Sequence, residues 1–515
     1  MSFLRPEAFL DALTIVFSLE TLYWLIIGVL IGITVGVLPG LTSTSAIALF
    51  LPVTFFMDLG PALGLLIGLY KGGDFGGAIS AITFATPGTP AAAATVVDGH
   101  KLMQKKQGRK ALGMSLYASF TADTSSDIIT IIAAPLLAVV ALSFGPPERF
   151  LLILAAFILI GFLAGRQVFK GLLSASLGVL LASIGTDPVG FTSRLTFGQW
   201  WLSSGIEIIS LVIGLFAFAK MMEETVNLIV ARKRSQSEKG NTINLASELL
   251  DKTKQEGLTF REFIRYWREI LTGIGVGTFV GALPGLGSSA AAFLSYGVSK
   301  QFSKYRHEMG QGSLAGVAAA ESGNSAAIGP TLIPLLALGI PGNVIAALIG
   351  GALMIKGITP SPRMFELFPS AIYAVLMILF LGNFVNLSVS RFILPLYAKI
   401  GQVPKPVLIP FVVILCIVGT YVTRGNPYDV LVMIIIGFLG YIMTLLRIPM
   451  FPLVMAFLLT PLMETSLRTA LMITKGNWLA LFVSPLAIGI LVAIVLMSAL
   501  VLWIRRRGNL EEEAG

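Results

Sequence analysis

Two kinds of residue in this chain could do chemistry: charged side chains set inside apolar runs, and hydroxyl or amide side chains that follow Pro-Gly pairs. Lys71 and Asp74 stand three apart among apolar and glycine residues, so on a helix they share a face and can neutralise one another. Left unpaired, Lys71 is a cation for a carboxylate and Asp74 a ligand for a cation. Asp123 and Asp127 stand four apart, where two like charges on one helix face require a proton or a metal cation. Glu321 is followed by Ser322 and Asn324 in a segment of small residues, a set of oxygens suited to a hard cation such as sodium at Glu321 and Asn324. A charge at mid-membrane costs about 2.5–3.5 kcal/mol on insertion scales, so each has a structural or functional reason to be there. The structural alternatives are a neutral Lys71–Asp74 pair and a place for Asp123 and Asp127 at the water interface.

The Pro-Gly pairs recur. Gly32-Ile-Thr-Val-Gly36-Val-Leu-Pro39-Gly40-Leu41 returns as Gly277-Thr-Phe-Val-Gly281-Ala-Leu-Pro284-Gly285-Leu286, and a second pair follows in the same order, Thr86-Pro87-Gly88-Thr89 and Ile340-Pro341-Gly342-Asn343. Two motifs repeated in order mark a duplicated architecture. Gly32/Gly36 and Gly277/Gly281 put small residues on one helix face, where another backbone can pack closely. Leu-Pro-Gly ends a helix, because proline disfavours the helical conformation of the residue before it. Thr42 or Ser43, Ser288, Thr89 and Asn343 are the expected N-caps of the helices that restart. The reading is of up to four helix N-termini within the membrane, each with unpaired N–H donors and a partial positive charge. Broken helices at matching places in two halves point to a secondary transporter's binding site. Gly40, Thr42, Ser43, Thr44, Gly88, Thr89, Gly285, Ser288, Ser289, Gly342 and Asn343, with Lys71, are therefore the candidate substrate contacts. Asp74, Asp123, Asp127, Glu321, Ser322 and Asn324 are the candidates for cation coupling.

These residues must be carried by membrane helices. Charged residues are 12% and apolar types 55% of 515 residues, whereas soluble domains run near 25% charged. One cysteine, Cys416, and two histidines exclude a disulfide scaffold and argue against Cys/His metal centres. His100 and His307 fall in polar stretches expected to be loops. With about 20 apolar residues per span, the chain allows roughly ten to fourteen spans, some of them broken or re-entrant, including a long run near 112–143. The fold class is an all-α polytopic membrane protein of two structural repeats, expected to be inverted. Residues 1–230 form the first repeat, 231–268 a cytoplasmic linker, 269–505 the second repeat and 506–515 a cytoplasmic tail. The net charge of +9 lies largely in that linker and in Arg505, Arg506 and Arg507, which sets topology rather than marking a nucleic-acid partner. Asp98-Gly99 reads as a turn cap before a basic loop. The first apolar run continues too long for a cleavable leader.

Several of these segments resemble the large membrane subunit of tripartite tricarboxylate transporters, the TctA family. They are Gly36-Val-Leu-Pro-Gly-Leu41, Pro87-Gly-Thr-Pro-Ala-Ala-Ala-Ala-Thr95 with Asp98-Gly99, Ala111-Leu-Gly113, Gly316-Val-Ala-Ala-Ala-Glu321-Ser-Gly-Asn324-Ser-Ala-Ala327 and Ile333-Pro-Leu-Leu-Ala-Leu-Gly-Ile-Pro-Gly342. The resemblance implies a bacterial inner-membrane permease that uses a sodium or proton gradient and no other cofactor. It would work with a periplasmic solute-binding protein and a small membrane subunit to import a tricarboxylate, dicarboxylate or aromatic acid. The chain departs from the family pattern at Tyr70-Lys71-Gly-Gly-Asp74-Phe-Gly-Gly-Ala78, where members carry an uncharged segment, and at Asp123 and Asp127.

Other functions fit less well. An ABC-type permease would show a cytoplasmic Glu-Ala-Ala coupling signature, which is not evident, and a channel has no need of matched half-helices. An intramembrane aspartyl protease is a remote alternative. Gly72-Gly73-Asp74 has Lys71 where that motif requires glycine, and Pro61-Ala62-Leu63 precedes the aspartate instead of following it. The chain is expected not to be an enzyme.

Overall fold

The computed structural model describes residues 6–38, 42–163, 168–187, 189–234, 256–284, 286–400, 405–482, 484–492 and 495. Pro39, Gly40, Gly285, most of the expected linker and the expected C-terminal tail lie outside the described residues. The elements in the first part of the chain are α1 (Pro6–Val16), α2 (Leu19–Val37), α3 (Ser43–Phe50), α4 (Leu59–Phe84), α5 (Ala93–Gln104), α6 (Gly108–Leu142), α7 (Pro146–Leu163), α8 (Val168–Ala182), the two-residue strands β1 (Gly185–Thr186) and β2 (Ser193–Arg194), α9 (Ile208–Val212) and α10 (Ala219–Arg234). There follow α11 (Phe260–Arg265), α12 (Trp267–Gly281), α13 (Gly287–Phe302), α14 (Leu314–Ser325), α15 (Ile333–Leu338), α16 (Val344–Ile355), α17 (Met364–Leu367), α18 (Pro369–Ile400), α19 (Lys405–Arg424), α20 (Pro427–Leu445) and α21 (Phe451–Ile473). Among the described residues four helices are long and apolar enough to cross a membrane by length and composition: Leu19–Val37, Gly108–Leu142, Pro369–Phe392 and Pro427–Leu445. The long apolar run near 112–143 is a single helix, α6, with Pro135 inside it.

Packing divides the chain into two compact units, one of Met1–Ala138 with Ile209–Tyr441 and one of Val139–Ile208 with Ile442–Gly515. This is a division by contact and differs from the halves of the sequence repeat. In the larger unit α2 and α4 pack backbone on backbone. A Cβ on Gly32 would stand 2.7 Å from the Leu69 carbonyl oxygen, and one on Gly68 would stand 2.6 Å from that of Leu25. Seven glycines in α4 cost helix propensity, about 1 kcal/mol each relative to alanine. Burial offsets this: every residue from Gly60 to Thr83 is buried. The larger unit also holds the Thr259–Glu262 capping box at the start of α11, and Lys110 bonds Glu262 at 2.6 Å. That bond, with the Thr259 amide, holds the Glu262 carboxyl at about 2, below the ordinary glutamate range.

The smaller unit contains α7, α8 and α21. Gly178 of α8 packs on Leu453 and Ala456 of α21. Beyond α8 the β1–β2 hairpin is held by charges: Arg194 bonds Glu464 through both guanidinium nitrogens, at 3.0 and 2.8 Å. Arg468 bonds Asp187 at 2.9 Å and Glu464 on its own helix. The Val189 amide and these arginines hold the Asp187 carboxyl well below the usual carboxylate range.

Candidate functional site

Two of the restarted helices are capped as the sequence predicts. Thr42 accepts from the Ser45 amide at the start of α3, and Asn343 accepts from the Ala346 amide at 2.7 Å at the start of α16. Thr89 is a correction: α5 begins at Ala93 behind Ala92 without a side-chain cap, and Thr89 accepts from the Ala92 amide at 3.3 Å one turn earlier. Ser288 is a correction: α13 begins at Gly287 behind Leu286, without a side-chain cap, and Ser288 lies inside the first turn. Gly287 stands at φ +62, left-handed backbone that glycine adopts without strain, and this conformation opens the helix in place of a hydroxyl.

Residues that follow the Pro-Gly pairs of both halves meet one stretch of α4, Tyr70 to Gly77. Ser43 packs against Gly73, whose Cβ would stand 2.7 Å from the Ser43 hydroxyl oxygen. Thr89 packs against Gly77 in the same way, at 2.9 Å from its methyl group. From the other half, the Asn343 amide donates to the Tyr70 hydroxyl at 3.1 Å, and Gly287 lies beside Asn343. Gly88 sits on the Gly36 carbonyl and Gly342 on the Thr331 carbonyl, with no room for a side chain at either. Ser45 fixes α3 from behind, bonding at 3.2 Å the Phe216 carbonyl. That carbonyl belongs to a π turn between α9 and α10. Thr42, Thr44, Ser288 and Ser289 are half-buried, and the Ser43 hydroxyl is buried without a hydrogen-bond partner. Gly40 and Gly285 lie outside the described residues.

Lys71 does not pair with Asp74. Its ammonium, with its side chain inaccessible, bonds Asp123 at 3.3 Å and Asp127 at 3.0 Å on α6, and the Asn383 carbonyl on α18. The Asn383 amide returns a bond to Asp127 at 2.7 Å. Asp123 and Asp127 share a helix face as their spacing requires, and they are buried rather than at a water interface. Asn383 was not singled out from the sequence. Its signal is that it and Asn386 interrupt an otherwise apolar run. Asp74 accepts instead from the Asn324 amide at 2.8 Å, and the Asn324 carbonyl oxygen is buried without a partner.

Glu321, in the middle of α14, is wholly buried. Thr95 of α5 donates to one of its oxygens, and Ser119 of α6 donates to the other at 3.2 Å. Ser322 turns back on its own helix, donating to the Ala318 carbonyl at 2.6 Å. Thr95 and Ser119 are site residues that no charge or proline marks; Thr95 is visible only as the end of the Pro87–Thr95 motif. Asp98 is a further correction: it lies inside α5 and caps no turn. It accepts from the amides of Gly310, Gly312 and Ser313 at 2.8, 2.7 and 3.0 Å, and from the Tyr296 hydroxyl at 2.8 Å. Lys101 of the same helix and Lys105 just beyond its end bond the carbonyls of Gly310 and Gln311. His100 likewise belongs to α5 rather than to a loop. Among the described residues no three His, Cys, Asp or Glu side chains are grouped so as to hold a metal ion.

The larger unit thus encloses polar chemistry in an apolar setting: the buried Lys71 ammonium, the buried carboxyls of Asp74, Asp123, Asp127 and Glu321, and hydroxyl and amide groups from both halves around one glycine-rich helix. The model of the tripartite tricarboxylate transporter TctA family matches residues 22–455. The chain is 34% identical over 468 residues, 91% of its own length and 90% of the relative's, to an uncharacterized 52.8 kDa protein in the TAR-I ttuC' 3' region of Agrobacterium vitis. It is 37% identical over 215 residues, 42% of its length and 89% of the relative's, to an uncharacterized protein in the TAR-II ttuC' 3' region of the same organism. No solved structure matches the chain.

Proposed function

The chain belongs to the tripartite tricarboxylate transporter TctA family, and from that premise we propose that it is the permease subunit of a binding-protein-dependent tripartite system. It imports a carboxylate by cation symport through alternating access. The observation that carries this reading is the meeting of Ser43, Thr89 and Asn343, from both halves, on the Tyr70–Gly77 stretch of α4. There, the N-termini of α3 and α16 supply backbone donors for a carboxylate, and the unpartnered Ser43 hydroxyl is a donor for the same ligand. Thr42, Thr44, Gly88, Ser288, Ser289 and Gly342 line the approach. In this reading Lys71 acts through Asp123 and Asp127, and Asp74, Glu321 and Asn324 serve the coupling cation, sodium or proton.

The two sequence repeats are the inverted halves of the transport fold, and their Pro-Gly segments are its broken helices. The partners are a periplasmic solute-binding protein and a small membrane subunit. The location is the bacterial inner membrane, with the 231–268 linker and the C-terminus in the cytoplasm. The test is uptake into vesicles holding the chain and both partners, loaded with the ligand found on the binding protein. Uptake under an imposed sodium or proton gradient without ATP is expected. Transport that needs ATP hydrolysis and ignores both gradients overturns the reading in favour of an ABC-type permease.

A further inference from the structure

This inference rests on the transporter reading and narrows it to one ion and one set of ligands. Glu321 is bonded by hydroxyls from two different helices, Thr95 on α5 and Ser119 on α6. A third hydroxyl, Ser115 one turn earlier on α6, is wholly buried beside the same carboxyl. The charged groups on the surrounding helices are hydrogen-bonded elsewhere, and Asp74 faces Glu321 closely enough for the two to repel when both are ionised. On α4, Asp74 is bonded by Asn324, and Lys71 is taken by Asp123, Asp127 and Asn383. On α5, Asp98 is bonded by Tyr296 of α13 and the amides of 310–313. On α12, Glu269 is bonded by Ser303. Among the described residues no cationic side chain bonds Glu321.

An ionised carboxylate so placed is an uncompensated buried charge, which is strongly unfavourable. A hydroxyl both donates and accepts, so the three around Glu321 can serve a carboxylate or, by rotation, take the proton of a carboxylic acid. Thr95 and Ser119 touch the carboxyl directly. We propose that Glu321, Thr95, Ser115 and Ser119 form a proton-binding site, loaded when Glu321 is a carboxylic acid, and that this proton is the coupling ion. Thr95 and Asp98 lie one turn apart on α5 and hold the same neighbour: Asp98 the loop that leads into α14, Thr95 the middle of α14. An ionised acceptor makes the stronger hydrogen bond. Release of the proton therefore tightens α5 on α14, and loading relaxes it.

Infrared difference spectroscopy on the purified full-length chain in lipid vesicles, stepped from acid to alkaline pH, tests this. The expected result is a carboxylic-acid carbonyl band that disappears on alkalinisation and is absent from Glu321→Gln. The band moves to higher frequency in Thr95→Val, returns in Thr95→Ser, and is unmoved when sodium chloride replaces choline chloride at constant pH. Wild-type spectra superimposable on those of Glu321→Gln at every pH overturn the proposal, as does a band that sodium removes at constant pH. If Glu321→Gln does not fold, the Thr95→Val and Thr95→Ser pair decides, an unmoved band being the negative result. Uptake of labelled di- and tricarboxylates by cells that also express both partner subunits is read in parallel. Transport without a Glu321 band removes the proton site alone. A Glu321 band in a chain that moves no carboxylate under any gradient removes the transporter reading and, with it, the coupling role.

Discussion

The Lys71 ammonium and the Asp127 carboxylate lie 3.0 Å apart with neither side chain accessible to solvent. This ion pair joins α4 to α6. Burying two charges is repaid only by good bonding; Asp123 and Asn383 add to the pair, while one Asp127 oxygen is buried without a hydrogen-bond partner. Lys71, Asp123, Asp127 and Asn383 thus make one buried polar unit in which a single ammonium faces two carboxyls.

Lys71→Met alone is expected to destabilise the chain by about 3–5 kcal/mol, because it strands two buried carboxyls. Combined with Asp123→Asn and Asp127→Asn, the same change should recover most of that loss. Thermal unfolding in detergent measures both; a triple variant no more stable than the single one would dissolve the unit.

Gly32→Val is expected to abolish a folded product, since a Cβ there meets the backbone of α4 at Leu69 and Gly73. Gly297→Ala, on the open face of α13 with nothing within 4 Å, should instead be neutral or stabilising by about 0.5–1 kcal/mol. Expression level and melting temperature of the pair distinguish a packing surface from a flexible one.

Asp98→Ala removes the acceptor of three amides and a hydroxyl. At about 1.5–3 kcal/mol for a hydrogen bond to a charged group, the loop at 310–313 should open at least tenfold more often. Hydrogen exchange of those amides reads the change, and unaltered protection would show that Lys101 and Lys105 suffice to hold it.

Asn343→Ala loses both the cap of α16 and the bond to Tyr70. A cost of about 1 kcal/mol in stability is expected, with a loss of uptake larger than that cost explains. Uptake equal to wild type at equal expression argues against a ligand at this helix end.

The Glu262 carboxyl sits at about 2, below its ordinary value, through Lys110 and the Thr259 amide. Its contribution is therefore complete above the ordinary glutamate range and is lost as pH falls toward 2. Protection of the amides of 259–265, taken relative to the intrinsic exchange rate at each pH, should fall on acidification through that window in the wild type, and Glu262→Gln should show the lower protection already at neutral pH.

Two of the caps were legible because hydroxyl and amide N-caps act locally. Thr42 and Asn343 needed only their neighbours in sequence to be read. Ser288 was misread because a left-handed glycine can open a helix as well as a hydroxyl can. Pairing was not legible in the same way. Lys71 had one partner visible at helix spacing, Asp74, and its actual partners are 52, 56 and 312 residues away. Asp98 looked like a turn residue because Asp-Gly so often is one, and only the fold brings the loop at 310–313 over it. The hydroxyls around Glu321 carry no charge, so nothing in composition or spacing sets them apart from packing residues.

The helix that gathers the two halves, α4, is not among the four with the length and apolarity to cross a bilayer unaided. Its seven glycines, Lys71 and Asp74 make it a poor passenger in lipid, and all of it from Gly60 to Thr83 ends up covered by protein. Its lodging is therefore an event of assembly. α2, which precedes α4 in the chain and carries Glu20 as its only charged residue, is the surface on which α4 docks. α6, which follows with Asp123 and Asp127, must arrive before Lys71 can be safely enclosed. The order of these segments along the chain is also the order in which the membrane could accept them.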